Sequence, residues 1–354
     1  MDRALDILKQ YYGYSSFREG QENIIREILN GNDVLTIMPT GGGKSICYQV
    51  PAMLLDGITI VISPLISLMK DQVDNINNLG IKSAYINSSL NNIEINNILD
   101  EAAKNEIKIL YVAPERLESH VFLELIASIN VSMVAVDEAH CVSQWGHDFR
   151  SSYRRISRVV SLLRNRPIVA AFTATATAEV RDDIIKLLEL NNPKVFISGF
   201  DRKNLKIIIE KGVNKKNYIL DYINSNKDES GIIYCSTRKE VDSLYDLLIS
   251  KGLEVEKYHA GLNDEYRKEA QESFIYDKVN IIIATNAFGM GIDKPNVRYV
   301  IHYNMPKNIE GYYQEIGRAG RDGEDSECIM LFSPGDVQTQ KYIIETATES
   351  SIRK

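Results

Sequence analysis

The sequence predicts two tandem α/β lobes built on mainly parallel sheets, and three features carry that expectation. At 354 residues the chain exceeds the size at which a single hydrophobic core keeps growing. Apolar, β-branched runs recur with helix-length segments between them, the alternation that builds a parallel sheet covered by helices. That rhythm stops at a turn-rich break, Asn191 to Lys194 and then Ser198 to Asn204, and afterwards restarts. The boundary is therefore expected near residue 200: a first lobe over 1–200, a second over 201–345, and a polar tail over 346–354.

Taken in order, the first series of strands is expected at Val34–Met38, Thr59–Ser63, Ile107–Val112, Val131–Asp137 and Ile168–Phe172. A helix is expected from Ser45 to Leu55, directly after the first strand and a glycine-rich turn. The second series runs through Lys206–Glu210, Gly231–Cys235, Val255–His259, Val279–Ala284, Val297–His302 and Cys328–Phe332. Composition fits such a fold, with 44% hydrophobic and 25% charged residues, values ordinary for a globular protein. The N-terminus has no apolar core suited to a signal peptide, and Gly57 to Met69 is too short to span a bilayer and holds Pro64, so a cytoplasmic, non-membrane protein is expected. Cys47, Cys141, Cys235 and Cys328 lie far apart, without zinc-ligand spacing, and read as reduced core thiols. With a formal charge of −7 and neither lobe basic, contact with nucleic acid must be local. Phe149 to Arg166 holds six arginines and no acid, and reads equally as such a patch or as a solvated helix face.

The chemistry lies in two motifs. Met38 to Ser45 reads MPTGGGKS. Thr40, Gly41, Gly42 and Gly43 form a turn that lets backbone N–H groups approach a polyphosphate, Lys44 reaches the β- and γ-phosphates, and Ser45 ligates Mg²⁺. Met38 stands where the first glycine of the general motif would be. Asp137 to His140 reads DEAH at a strand end, where open α/β sheets place catalytic groups. Asp137 is assigned to magnesium and Glu138 to the attacking water. His140 has no second histidine at helical spacing and reads as a link between the nucleotide site and the segment C-terminal to it. Positive charge for the transition state is expected from Gln314 to Arg321, QEIGRAGR, with Arg321 as an arginine finger supported by Arg318. Together these residues read as an NTP-hydrolysing machine.

Further blocks fall in a fixed order, and on them the chain resembles a superfamily 2 helicase core of the RecQ family. They are Tyr12 to Gln21, Ser63 to Gln72, Ala113 to Arg116, Thr173 to Ala176, Tyr258 to Leu262 and Ala284 to Asp293. Cys141 to Arg150, CVSQWGHDFR, resembles the family's aromatic-rich loop. The resemblance implies two RecA-like P-loop NTPase lobes with a nucleotide cleft between them, and ATP with Mg²⁺ as cofactors. It implies that Gln21 reads adenine with Tyr14 and Arg18 against the ring, and that Gly289, Gly291 and Asp293 line the cleft. Thr173 and Thr175 would couple nucleotide state to strand movement, helped by His140. Trp145 and Phe149 would stack on unpaired bases with Arg150 on phosphate. Ser63, Pro64, a turn at Pro114 and Glu115, Ser236, Thr237, Arg238 and Thr285 would meet the nucleic-acid backbone; Ser236-Thr237-Arg238 departs from the family's usual Asn-Ser-Arg.

The activity so implied is a DNA-dependent ATPase and 3′-to-5′ DNA helicase of recombination and repair, acting on single-stranded and partly duplex DNA, as a monomer with DNA-repair proteins as partners. The chain stops after its second lobe, before the family's zinc-binding and winged-helix regions. Zinc is therefore expected to be absent, and duplex unwinding weaker than in a longer relative. Two rivals are an RNA helicase or non-unwinding translocase, against which the aromatic loop and the Tyr12 to Gln21 block speak, and a catalytically silent, nucleotide-gated repair scaffold, against which the set Lys44, Asp137, Glu138 and Arg321 speaks.

Overall fold

A computed structural model of the chain describes residues 1–64, 66–146, 148–199, 202–289, 294–338 and 340–341. The chain divides into two compact units, Met1–Phe200 and Asp201–Lys354.

The first unit holds seven strands in the order β3-β4-β2-β5-β6-β1-β7. They are β1 Val34–Ile37, β2 Ile58–Ile62, β3 Ser83–Ile86, β4 Ile109–Val112, β5 Val131–Val136, β6 Ile168–Thr173 and β7 Lys194–Ile197. Every pairing is parallel. Strands covered on both faces lose the polar half of their alternation, and β1, β2 and β4 are buried throughout. Ile60, Ile62, Val134 and Val136 point into one apolar layer, while Val61, Ala135 and Phe172 point into the other. Each fully buried side chain of this kind contributes about 1.5–3 kcal/mol.

Parallel pairing sends the segments that follow β1, β2, β4, β5 and β6 out at one edge of the sheet. Because β6 lies between β5 and β1, the glycine-rich turn, the Thr173 segment and the Asp137 segment are neighbours in that order. Three helices complete the approach to this edge: α1 Asp2–Tyr12, α2 Gln21–Leu29 and α3 Lys44–Leu54. Between α1 and α2 the chain turns at Gly13, whose φ of 72° suits the left-handed C-cap.

The second unit holds six strands in the order β10-β11-β9-β12-β13-β8, again all parallel. They are β8 Leu205–Lys211, β9 Ser230–Tyr234, β10 Val255–Tyr258, β11 Ile281–Ala284, β12 Val297–His302 and β13 Ser326–Phe332. The Tyr299 ring occupies the space a Cβ on Gly231 would need, so glycine there admits the ring against β9. All the strands expected from the sequence are present with small shifts at their ends. Two others, β3 and β7, are not anticipated by the sequence reading, and β7 lies inside the stretch read as a turn-rich break. No helix among the described residues is long and apolar enough to cross a membrane.

Candidate active site

The phosphate turn is shaped by its glycines. Gly41 and Gly43 have φ of 80° and 82°, conformations costly for other residues. Gly43 caps α3, so Lys44 and Ser45 begin a helix whose first N–H groups and positive dipole end face the turn, the arrangement that binds phosphate. Lys44 Nζ donates to the Met38 carbonyl at 3.1 Å. Met38 is buried, and its side chain fills the space beside Gly42 that a Cβ would need. The departure from glycine at position 38 thus packs the turn from beneath.

Gln21 and Arg18 grip the same turn. Gln21 is buried; its Nε2 donates to the carbonyls of Gly43 at 3.1 Å and Gly42 at 3.4 Å, while its Oε1 accepts from the Arg18 N–H at 2.8 Å. Arg18 Nη1 donates to the Gly41 carbonyl at 2.6 Å. Tyr14 stands about half exposed beside them in sequence. Behind α3, Gln49 links the hydroxyls of Tyr12 at 3.1 Å and Tyr111 at 3.2 Å, and Tyr111 meets Tyr48 at 3.2 Å. This network fastens α1 to α3 and β4.

Asp137 follows β5, and its Oδ1 accepts from the Glu138 N–H at 3.0 Å. Burial and the neighbouring Glu138 carboxylate push the Asp137 carboxyl well above the usual range, against the pull of Lys44. Glu138 has φ 48°, the left-handed region that non-glycine residues enter at a cost. Its Oε2 is buried and accepts no hydrogen bond among the described residues; the His140 Nδ1 lies 3.4 Å away. Two adjacent, partly buried carboxylates, with Lys44 near enough to act on Asp137, offer the oxygen donors that fit a divalent cation of the oxygen-preferring kind.

His140 carries this site to the next strand. Thr173 spends its only hydroxyl proton on the Thr175 carbonyl at 2.9 Å, so its oxygen must accept from His140 Nδ1, also at 2.9 Å. The imidazole is thereby held with its proton on Nδ1. The DEAH segment and the Thr173-to-Thr175 segment thus meet through the His140 and Thr173 side chains.

The aromatic-rich loop hangs beside them. Trp145 is 79% exposed and Phe149 38%, so both rings keep apolar surface at the solvent. The loop is anchored by Ser143, which donates to Asp183 at 2.6 Å. Arg150, expected on phosphate, donates to Asp148 at 3.2 Å and to the Pro64 carbonyl at 2.9 Å, tying the loop to the Ser63-Pro64 segment. The six arginines of Phe149 to Arg166 do not form one stripe. Arg154 lies over the Phe149 ring, Arg155 pairs with Glu118 at 3.2 Å, and Arg166 pairs with buried Asp33 at 2.6 Å. Sequence reading misses Tyr153, whose ring is fully buried and whose hydroxyl donates to the Asp137 carbonyl at 2.8 Å. A tyrosine in an arginine-rich run carries no local signal of such a contact. His147 lies outside the described residues.

In the second unit, Ser236 follows β9 and its N–H donates to Asn304 Oδ1 at 3.0 Å. The Thr237 hydroxyl caps the helix Arg238–Ser250 in a capping box with Glu240, which occupies the hydroxyl the sequence reading left for a backbone contact. Thr285 follows β11 and is buried. Gln314 sits on the helix Ile309–Ile316, which ends at Gly317, and Arg318 and Arg321 lie in the turn beyond it. Arg318 is buried and its Nη1 donates to the Gly289 carbonyl. Gly291 and Asp293 lie outside the described residues.

Two family descriptions match this chain in order, "DEAD/DEAH box helicase" over residues 18–184 and "Helicase conserved C-terminal domain" over residues 214–323. Fold and motifs thus define a DEAD/DEAH box helicase core with two RecA-like units. The chain is 49% identical to the ATP-dependent DNA helicase RecQ of Bacillus subtilis (strain 168), covering 100% of this chain and 60% of that protein. It is 42% identical to the probable ATP-dependent DNA helicase RecS of the same organism, covering 98% of this chain and 70% of that one. The chain belongs to the RecQ family of helicases. It spans 55% to 60% of the length of the RecQ proteins it matches. A solved structure of the helicase MrfA bound to DNA matches with a TM-score of 0.78 at 18% identity, over 97% of this chain and 50% of that one, which shows a shared fold.

Proposed function

We propose that this chain is the motor core of an ATP-dependent DNA helicase, which hydrolyses ATP with Mg²⁺ and moves 3′-to-5′ along single-stranded DNA to open duplexes in recombination and repair. The observation that carries this reading is the hydrogen-bonded run His140–Thr173–Thr175, which starts 3.4 Å from Glu138 and lies at the same sheet edge as the phosphate turn. Its support from outside the chain is the names of its relatives, and the direction of movement comes from the family resemblance. Lys44 and the α3 N-terminus hold the phosphates, Ser45 and Asp137 hold the metal, and Glu138 polarises the water. The cation supplies positive charge to the phosphate oxygens when bound. Gln21, with Arg18 and Tyr14, reads the base, and Gly291 and Asp293 belong to the same nucleotide-binding set. We assign transition-state charge to Arg321, supported by Arg318, with Gln314 on the helix that precedes them. Trp145 and Phe149 take unpaired bases; Ser63, Pro64, Ser236, Arg238 and Thr285 take the backbone.

The test is ATP turnover with single-stranded DNA against RNA, run beside strand displacement on duplexes with a 3′ or a 5′ overhang. DNA is expected to stimulate more, and the 3′ overhang to be the better substrate. Stronger stimulation by RNA would move the chain to an RNA helicase. Turnover without displacement would make it a translocase.

A further inference from the structure

Tyr153 joins two parts of the proposed machinery. It lies in the short turn Ser151–Arg155 immediately after the aromatic-rich loop. Its hydroxyl donates to the main-chain carbonyl of Asp137 at 2.8 Å. That carbonyl belongs to the peptide that sets Glu138, the residue held at φ 48°. At the loop's other end, the Cys141 N–H donates to the Glu138 carbonyl at 2.9 Å, and the Arg150 N–H closes the loop on the Cys141 carbonyl at 2.9 Å. The segment bearing Trp145 is therefore a closed ring fastened to Glu138 on one side and, through Tyr153, to Asp137 on the other. A buried hydroxyl is costly unless it is bonded, and here its partner is the carbonyl of the peptide that leads into Glu138.

We propose that Tyr153 is a positioning residue: when Trp145 takes up an unpaired base, the phenol carries the displacement of the loop to the Asp137–Glu138 peptide and sets the Glu138 carboxylate for hydrolysis. This rests on the function proposed above. Coupling between two binding equilibria is reciprocal, so nucleotide at the phosphate turn also biases the loop. Trp145 is the only tryptophan in the chain and reports that shift directly.

The variant is Tyr153→Phe in the full chain, which keeps the buried ring and removes only the hydroxyl. Turnover at saturating single-stranded DNA falls about fivefold, the rate equivalent of one hydrogen bond of about 1 kcal/mol. The KM for ATP and the half-saturating DNA concentration stay within about twofold, since the phenol touches neither ligand and acts through Glu138. In the unaltered chain Trp145 emission changes when a non-hydrolysable ATP analogue and Mg²⁺ are added; in Tyr153→Phe that change is lost while quenching by DNA remains. A variant with both readouts unaltered, or with only a lower urea midpoint, overturns the proposal, as does an unaltered chain whose emission ignores nucleotide. An unaltered chain with no DNA-stimulated turnover sinks the proposed function itself.

Discussion

Replacing Thr173 by valine keeps the shape of the side chain and deletes both hydrogen bonds at its hydroxyl. One is donated to the Thr175 carbonyl and the other accepted from His140 Nδ1, each at 2.9 Å, and Thr173 itself is fully buried. Leaving a buried group unpartnered costs about 1–3 kcal/mol. The Thr175 carbonyl bears that cost in full, whereas His140 keeps the Glu138 Oε2 at 3.4 Å and recovers part of it. The first unit is therefore expected to lose about 2–4 kcal/mol in urea unfolding. Thr173→Ser returns the hydroxyl and should recover most of the loss, short of about 1 kcal/mol for the missing methyl. DNA-stimulated turnover should follow the hydroxyl, low in Thr173→Val and near normal in Thr173→Ser. A valine variant within about 0.5 kcal/mol of the original, below any of these costs, would show that neither hydrogen bond contributes, and the tautomer assigned to His140 would fall with them.

Other perturbations separate the remaining roles. Lys44→Ala should abolish nucleotide binding, and Glu138→Gln should bind ATP but turn over about 10²–10⁴-fold more slowly; calorimetry and phosphate release check the pair, and a normal rate in either withdraws the assignment. Trp145→Ala should retain ATP binding and lose stimulation by single-stranded DNA, since stacking on one base amounts to about 1–3 kcal/mol; undiminished stimulation in a DNA titration would remove the loop from the DNA path. Asp33→Ala should cost about 3–5 kcal/mol. It strands the N–H groups of Val169 and Asn191 along with Arg166, which meet the Asp33 carboxylate at 2.9, 2.7 and 2.6 Å. Arg166→Met leaves the buried Asp33 carboxylate its two N–H donors and should cost less, about 1–3 kcal/mol. Equal losses in urea unfolding would contradict that account of the clasp.

Strands buried on both faces were legible in the sequence because their apolar runs are continuous, as in Val34–Ile37 and Ile58–Ile62. The strand Lys194–Ile197 was not. It sits at the sheet's edge with Val195 and Ile197 exposed, and turn-forming residues flank it on both sides. Ser83–Ile86 pairs only with β4 and is half covered, too short and mixed to announce itself. In the site, the glycine turn and the DEAH segment could be read because their chemistry is local in sequence. The contacts that arrange them could not: Tyr153 reaches sixteen residues back, Asp33 meets Arg166 across 133, and the ion pairs that divide the arginine run depend on which acids the fold brings near. Arg150 and Thr237 show the converse, residues of the right type and place whose polar groups the fold has already used.

The bond from Lys44 to the Met38 carbonyl ties the ammonium to the turn's own backbone through one of its three N–H donors. The charge is thereby held over the turn before any anion arrives, and the rotamer entropy lost in placing it there, about 1.5–2 kcal/mol for a lysine, is met on folding rather than on binding. Under the function proposed above, the lysine is a preset counter-charge for phosphate that acts alongside the N–H groups of α3.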